Sequence, residues 1–272
     1  MGRARTDGAV SARAAHTGPR EWDAEVYDRV SDPQFEWARE VLERLPLRGD
    51  ENVLDAGCGS GRVTGLLLDR LPDGKVIAID GSASMVAKAR ATLGDRAEVR
   101  EGDLAQLDLR QEVDLVFSNA VFHWITDHEN LFGRLYAALR PSGRLVAQCG
   151  GAGNVASLAR VIIEVAAQPR FAEHFTEMRG MWNFATAEDT EAVLRGAGFE
   201  QVRCWLQRKE VQPAQPIDFL ATVTLGPQLE RLPDELKQPF VADVAAQMGE
   251  PLVLDYVRLN IEARKPSAEP LP

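Results

Sequence analysis

The sequence predicts an α/β protein built on a mostly parallel sheet. Three observations lead there. Helical segments alternate with short β-branched runs from about residue 33 onward, several of those runs end in an acidic or small polar residue, and a glycine-rich turn joins the first run to the helix behind it.

The first helix is expected to start with Asp32 as N-cap and Pro33 at its first position, presenting Trp37, Val41 and Leu45 on one face until Leu45-Pro46 ends it. Asn52-Val53-Leu54-Asp55 follows as a strand, then the glycine turn and a helix over 62–71 with Val63, Leu66, Leu67 and Leu71 inward. The second strand is Val76-Ile77-Ala78-Ile79-Asp80. Its helix begins at Ser82 as N-cap and turns Met85, Val86, Ala89 and Leu93 toward the core. A short strand over 98–100 comes next. The strand over 114–119 is a near-continuous apolar run, as expected of one buried on both faces. A helix over 128–140, stopped by Pro141-Ser142-Gly143, leads to a fifth strand over 144–148.

Beyond Gly150-Gly151-Ala152-Gly153 the composition changes. A helix over 154–167 leads to an aromatic stretch, where Phe171, Phe175, Met178 and Trp182 recur at helical spacing and predict an aromatic lid over an apolar or amphipathic ligand. A strand over 200–211 follows. Pro213, Pro216, Pro227, Pro233, Pro239 and Pro251 then interrupt short helices that suit a cap, and a strand over 254–263 closes the fold. The expected organisation is a disordered tail (1–20), a core carrying the glycine turn (21–150), a cap with the last two strands (151–265) and a second tail (266–272).

With 31 basic and 41 acidic side chains, the net charge of −10 argues against nucleic acid or an anionic membrane as partner and favours a small molecule. Cys58, Cys149 and Cys204 form neither a CxxC pair nor a disulfide framework, and no metal site is predicted. No apolar run has the length of a membrane span, so a cytoplasmic location is expected, as monomer or homodimer. The start, with Arg3, Arg5, Arg13 and Arg20 against Asp7, is read as tail; transit-peptide and myristoylation patterns also fit it, without specificity.

Asp55-Ala56-Gly57-Cys58-Gly59-Ser60-Gly61 lies between a predicted strand and helix, where close approach of main chain to a ligand needs residues without side chains and lets N–H groups face it. Asp80 ends the next strand 19 residues after Gly61, a spacing at which a carboxylate can accept both hydroxyls of a ribose. Together these imply an adenosine-containing ligand. The glycines run GxGxG rather than GxGxxG, and no GxxxxGK[ST] is present, which disfavours a dinucleotide and gives triphosphate hydrolysis no anchor.

Val53 to Gly61 resembles the first motif of the class I S-adenosylmethionine (SAM)-dependent methyltransferases. Ile79-Asp80-Gly81-Ser82 with Met85 is similar to that family's ribose segment, Glu101-Gly102-Asp103-Leu104 to its adenine segment, Ser118-Asn119-Ala120 to the methyl-site motif, and Leu139 to Leu145 to the turn before strand five. The resemblance implies a Rossmann-like sheet of seven strands, the last antiparallel, with helical cap insertions. It implies SAM as cofactor and methyl transfer to a small acceptor, on a carboxylate or hydroxyl. Tyr27, Asp55, Ala56, Gly57, Cys58, Gly59, Gly61, Asp80, Gly81, Met85, Gly102, Asp103, Leu104, Asn119 and Ala120 would line the cofactor, with Asp55 ionised at its amino-acid end.

Residues 22–27, 118–124 and the C-terminal layout look most like the trans-aconitate and malonyl-carrier-protein methyltransferase group, although His123-Trp124 stands where that group carries Gln or Arg. For an acceptor that must lose a proton, His123 is the candidate base, since histidine titrates near neutrality. Trp22, Trp124, Phe171, Phe175 and Trp182 are candidate acceptor contacts, and Arg160, Arg170 or Arg179 would hold an acid group. A nicotinamide-dependent oxidoreductase and a catalytically silent SAM-binding domain are the alternatives.

Overall fold

Seven strands form one sheet in the order β3-β2-β1-β4-β5-β7-β6: β1 Asn52–Ala56, β2 Lys75–Asp80, β3 Glu98–Glu101, β4 Val113–Asn119, β5 Leu139–Gly150, β6 Glu200–Val211 and β7 Leu254–Arg264. The computed structural model describes residues 18–176 and 182–268. The first five strands are parallel and the last is antiparallel, as the resemblance implies, and β7 inserts between β5 and β6. Strand order reverses between β1 and β4. In such sheets the crevice beyond the carboxyl ends at that point is where ligands bind.

Alternating side chains send β1 residues to two cores. Val53 joins Val76, Leu115, Phe117 and Val146 beneath α2 (Asp32–Glu43), α3 (Arg62–Leu68) and α4 (Ala83–Leu93). Leu54 and Ala56 join Val116, Leu145 and Ile261 beneath α5 (His128–Ala138) and α7 (Ala187–Gly196). A third core binds the helical layer of α6 (Ala156–Ala166), α8 (Pro216–Phe219), α9 (Gly226–Leu229) and α10 (Asp234–Met248) to Trp37 of α2 and Tyr256 of β7.

Several expectations shift. A helix unannounced by the sequence, α1 (Ala24–Val30), precedes α2, and Ser31 rather than Asp32 occupies the α2 cap because Ser31 also ends α1. The helix over 62–71 stops at Leu68. Strand β5 pairs from Leu139, with an irregularity before Arg144, so the Pro141-Ser142-Gly143 turn lies inside the strand span. The tail predicted for 1–20 is ordered from Gly18 among the described residues: Pro19 covers Gly81, and Arg20 bonds Glu230. Pro266 is likewise tied down, its carbonyl accepting from Ser142 N–H. Residues 1–17 and 269–272 of the predicted tails, and Met178 and Arg179, lie outside the described residues.

Candidate active site

The glycine turn and Asp80 meet at the carboxyl ends of β1 and β2. Asp80 accepts from Gly59 N–H at 2.8 Å and from Ser82 N–H at 2.9 Å, so the terminal aspartate of β2 is tethered directly to the turn. Gly57 and Cys58 donate to the Ile79 carbonyl. The N–H groups of Gly57, Cys58 and Gly59 therefore serve the neighbouring strand instead of facing a ligand. Gly57 has φ +86°, and a Cβ there would lie 2.1 Å from the Val121 side chain. Gly59 (φ +55°) has open space where a Cβ would be, which leaves room for a ligand at the turn. Ala120, just past β4, is also left-handed (φ 62°), the kind of strain that collects at functional loops.

Asp55 is 2% exposed and bonded by Thr64 Oγ1 at 2.7 Å; burial, with Asp80 nearby, pushes its carboxyl up to about 7. Burial also raises Asp80. Two carboxylates short of counter-charge suit a ligand that brings positive charge. Asp103 caps the short 3₁₀ turn Leu104–Gln106, and Gly102 N–H bonds the Asp80 main chain, which sets the third expected segment beside the second. Met85, Leu104 and Cys58 are buried, and burial raises the Cys58 thiol.

A segment over 19–31 roofs this crevice. Glu21 accepts from Ser82 Oγ, Ala83 N–H and Ser84 N–H, which hold its carboxylate below the usual range. Asp28 bonds Ser60, and burial pushes Tyr27 up to about 12. Beneath it a cavity of about 60 Å³ remains, lined by Tyr27, Gln34, Asp55, Gly59 and Asn119. The larger recess, about 620 Å³, lies at the opposite ends of the strands by Asn52, Lys75 and Glu98, away from the glycine turn.

Beyond β4 the chain makes an aromatic wall. Trp124 packs against Trp22 at 5.5 Å and His123 at 5.0 Å, and Trp182 stacks on Phe184 at 5.3 Å. Phe171 and Phe175 do not join it. They are buried against Phe240 of α10, because the segment forms a 3₁₀ turn over Ala172–Phe175 rather than the helix its spacing suggested; the predicted aromatic face is divided between core and wall. The base expected at His123 also meets an obstacle. Its Nδ1 accepts from Gly150 N–H at 3.3 Å, and burial, with Arg258 adding, holds the ring neutral, so its proton sits on Nε2 and no lone pair is left for an acceptor's proton.

Sequence reasoning missed Arg258. It is 2% exposed on β7. Its Nε donates to Gln148 at 3.3 Å and its guanidinium lies 4.5 Å from the Trp37 ring. The arginines named from sequence sit elsewhere: Arg160 pairs with Glu164 and Arg170 with Asp243, both well exposed.

A profile described as "Methyltransferase domain" matches residues 53–143. A trans-aconitate 2-methyltransferase of Variovorax paradoxus is 30% identical over 245 residues, 88% of this chain and 94% of that protein. The chain belongs to the SAM-dependent methyltransferase family. The enzyme of the same description from Shigella flexneri serotype 5b is 31% identical over 90% of this chain and 98% of its own. Among solved structures, the methyltransferase fold is shared with Haemonchus contortus phosphoethanolamine N-methyltransferase 2, bound to S-adenosylhomocysteine (TM-score 0.61, 18% identity, 90% of this chain, 57% of that chain). Bacillus subtilis YcgJ also shares it (TM-score 0.60, 11% identity, 86% of this chain, 100% of that chain). Nothing in these matches supports the oxidoreductase alternative.

This methyltransferase uses SAM, and its crevice fits that molecule in chemistry: the buried Asp55 and half-buried Asp80 carboxylates, an open flank at Gly59, and Asn119 Oδ1, which is buried without a hydrogen-bond partner. No helix among the described residues is long and apolar enough to cross a membrane.

Proposed function

We propose that this enzyme methylates a carboxylate oxygen of a small organic acid. The observation that carries this reading is the His123–Gly150 contact, which removes the one candidate base beside the methyl-site motif. A carboxylate is already ionised at neutral pH and needs none. The relatives described as trans-aconitate 2-methyltransferases support the same class of acceptor.

When bound, SAM supplies an electrophilic methyl group on a sulfonium. The carboxylate oxygen contributes the electron pair of the new C–O bond, and the C–S bond breaks with its pair left on sulfur, so no proton moves. The protein's work is positioning and exclusion of water. In this reading Asp80 takes the ribose hydroxyls and Asp103 with Leu104 borders the adenine. Asp55 faces the cationic amino-acid end and gives up its proton as that charge arrives, while Asn119 and Ala120 border the methyl site. His123 offers Nε2–H to the acceptor as a hydrogen-bond donor. Trp22, Trp124 and Trp182 wall the acceptor space, with Phe171 and Phe175 bracing the layer behind.

A SAM-sized ligand needs a pocket of roughly 300 Å³ or more, so the roof over 19–31 must lift. Two of its ties to the body, Lys88–Glu25 and Arg29–Asp218, are solvated ion pairs of little strength. The test is incubation with methyl-labelled SAM and a panel of small carboxylic acids including trans-aconitate, followed by mass analysis. A labelled methyl ester on at least one acid is expected; label only on phenols or amines would overturn the reading.

A further inference from the structure

Arg258 is among the most deeply buried charges in the protein, and no carboxylate among the described residues pairs with it. Its neighbours are neutral: Gln148, Trp37, and the side chains of Cys149, Tyr256 and Tyr27. Nη2 is buried with no hydrogen-bond partner. Gln148 in turn donates to Asn260 Oδ1, which also receives Arg44, so a row of amides links two guanidiniums with no acid between them. The sheet register sets this row. Asn119 lies opposite Gln148, Gln148 opposite Asn260, and Arg258 two residues from Asn260, so all four share the side of the sheet that carries Asp55, where Gln34, Trp37 and Arg44 of α2 and its cap meet them.

A lone buried guanidinium costs several kcal/mol of desolvation unless something compensates it. One stacking contact and one long amide bond do not account for it. The field of Arg258 also reaches His123 and Tyr27, whose ionisation it biases. Tyr27 at the same time lines the cavity beside the glycine turn. Lifting the roof therefore clears the way from the methyl site toward the guanidinium.

We propose that Arg258 anchors a second carboxylate of the acceptor, one that is not methylated, so that preferred acceptors carry at least two acid groups. The inference rests on the carboxylate-methylation reading and deepens it. The anchored carboxylate is not the reacting one, because a guanidinium on the attacking oxygens would stabilise the charged ground state more than the transition state in which that charge is lost. A planar, forked donor matches a carboxylate in two bonds, which a lysine would not reproduce.

The test uses the full chain with Arg258→Met and Arg258→Lys, trans-aconitate as polyacid, crotonate as its monoacid counterpart, and S-adenosylhomocysteine as cofactor probe. For Arg258→Met we expect the melting temperature to hold or rise, since an apolar isostere relieves a buried charge. S-adenosylhomocysteine affinity should stay within about threefold, and KM for trans-aconitate should rise by roughly 100-fold, the value of one charged bidentate contact. KM for crotonate should barely move, and Arg258→Lys should fall between. Equal loss for both acids, or a melting temperature that drops together with cofactor affinity, would show a structural arginine and overturn the proposal. Loss of S-adenosylhomocysteine binding alone would assign the guanidinium to the cofactor's own carboxylate and overturn it as well. If the wild-type enzyme esterified no acid, calorimetry of trans-aconitate on the S-adenosylhomocysteine complex would still decide. Arg258-dependent binding would keep the anchor while the reaction reading fell, and absence of binding would remove both.

Discussion

Two charged poles share one face of the sheet: Asp55 and Asp80 at the ends of β1 and β2, and Arg258 with Arg44 along β7 and α2. The acidic pole is surrounded by Thr64 and main-chain donors, the basic pole by amides and aromatic rings, and neither is among the charges that perturb the other's arginine or acid. Elsewhere the molecule pairs its charges in the ordinary way, as in Arg140–Asp114 or Lys209–Glu40. Opposite charges kept apart under one roof cost stability, and what they offer in return is a place for a cation on one side and an anion on the other. That is the charge layout the proposed pairing of SAM with an acid requires.

The comparison breaks most visibly at Asp80. In the proposed reading Asp80→Ala removes the acceptor of two ribose hydroxyls, and with charged hydrogen bonds contributing about 1.5–3 kcal/mol each, S-adenosylhomocysteine affinity measured by calorimetry should fall by at least roughly 100-fold. Unchanged affinity would detach the ribose from β2. A control away from both poles is Phe171→Ala, which empties a fully buried ring site beside Phe240. It should cost about 3–5 kcal/mol in denaturant unfolding while leaving the ratio of trans-aconitate to crotonate rates alone; a changed ratio would return Phe171 to the acceptor site.

The acidic pole is sharpened by pH. Asp55, moved by burial from its usual 3.8 to about 7, keeps its proton in the fold where the unfolded chain has lost it. This contribution to the stability of the cofactor-free protein is full below about pH 4 and is lost as pH rises through 7. Cofactor binding has the opposite sign. If only the ionised carboxylate receives the cationic end, SAM affinity should strengthen about tenfold from pH 6 to 8 and then level off, and Asp55→Asn should flatten the curve; an equal slope in the variant would assign the proton to another group. The smallest effect is expected at His123. A donor lost in His123→Gln should lower kcat by less than about tenfold, whereas removal of a general base costs roughly 10²–10⁴, so a loss in that range would restore the base.

The aromatic stretch shows where sequence patterning stops. Phe171, Phe175 and Trp182 look alike as spacing, yet two are core and one lines the wall, because the turn over Ala172–Phe175 breaks the helical register that joined them. In contrast, Ser82 as N-cap of α4 is legible because its bond to Met85 N–H spans three residues. The roof helix α1 is a similar lesson: its seven residues carry little pattern of their own and depend on Glu21, Asp28 and Trp22 finding partners beyond residue 59.

What the sequence determined by itself was local: the strand, glycine turn and helix that make the cofactor crevice, and the aspartate that ends the next strand, all within about thirty residues of one another. What only the tertiary structure decided was how distant segments meet. The antiparallel insertion of β7 beside β5 brings Arg258 onto Gln148 across 110 residues, and Gly150 folds back onto His123 across 27. Neither a guanidinium without a carboxylate among the described residues nor an occupied lone pair leaves a mark on the neighbouring residues in the chain, since both are facts about the partners that three-dimensional packing supplies or withholds.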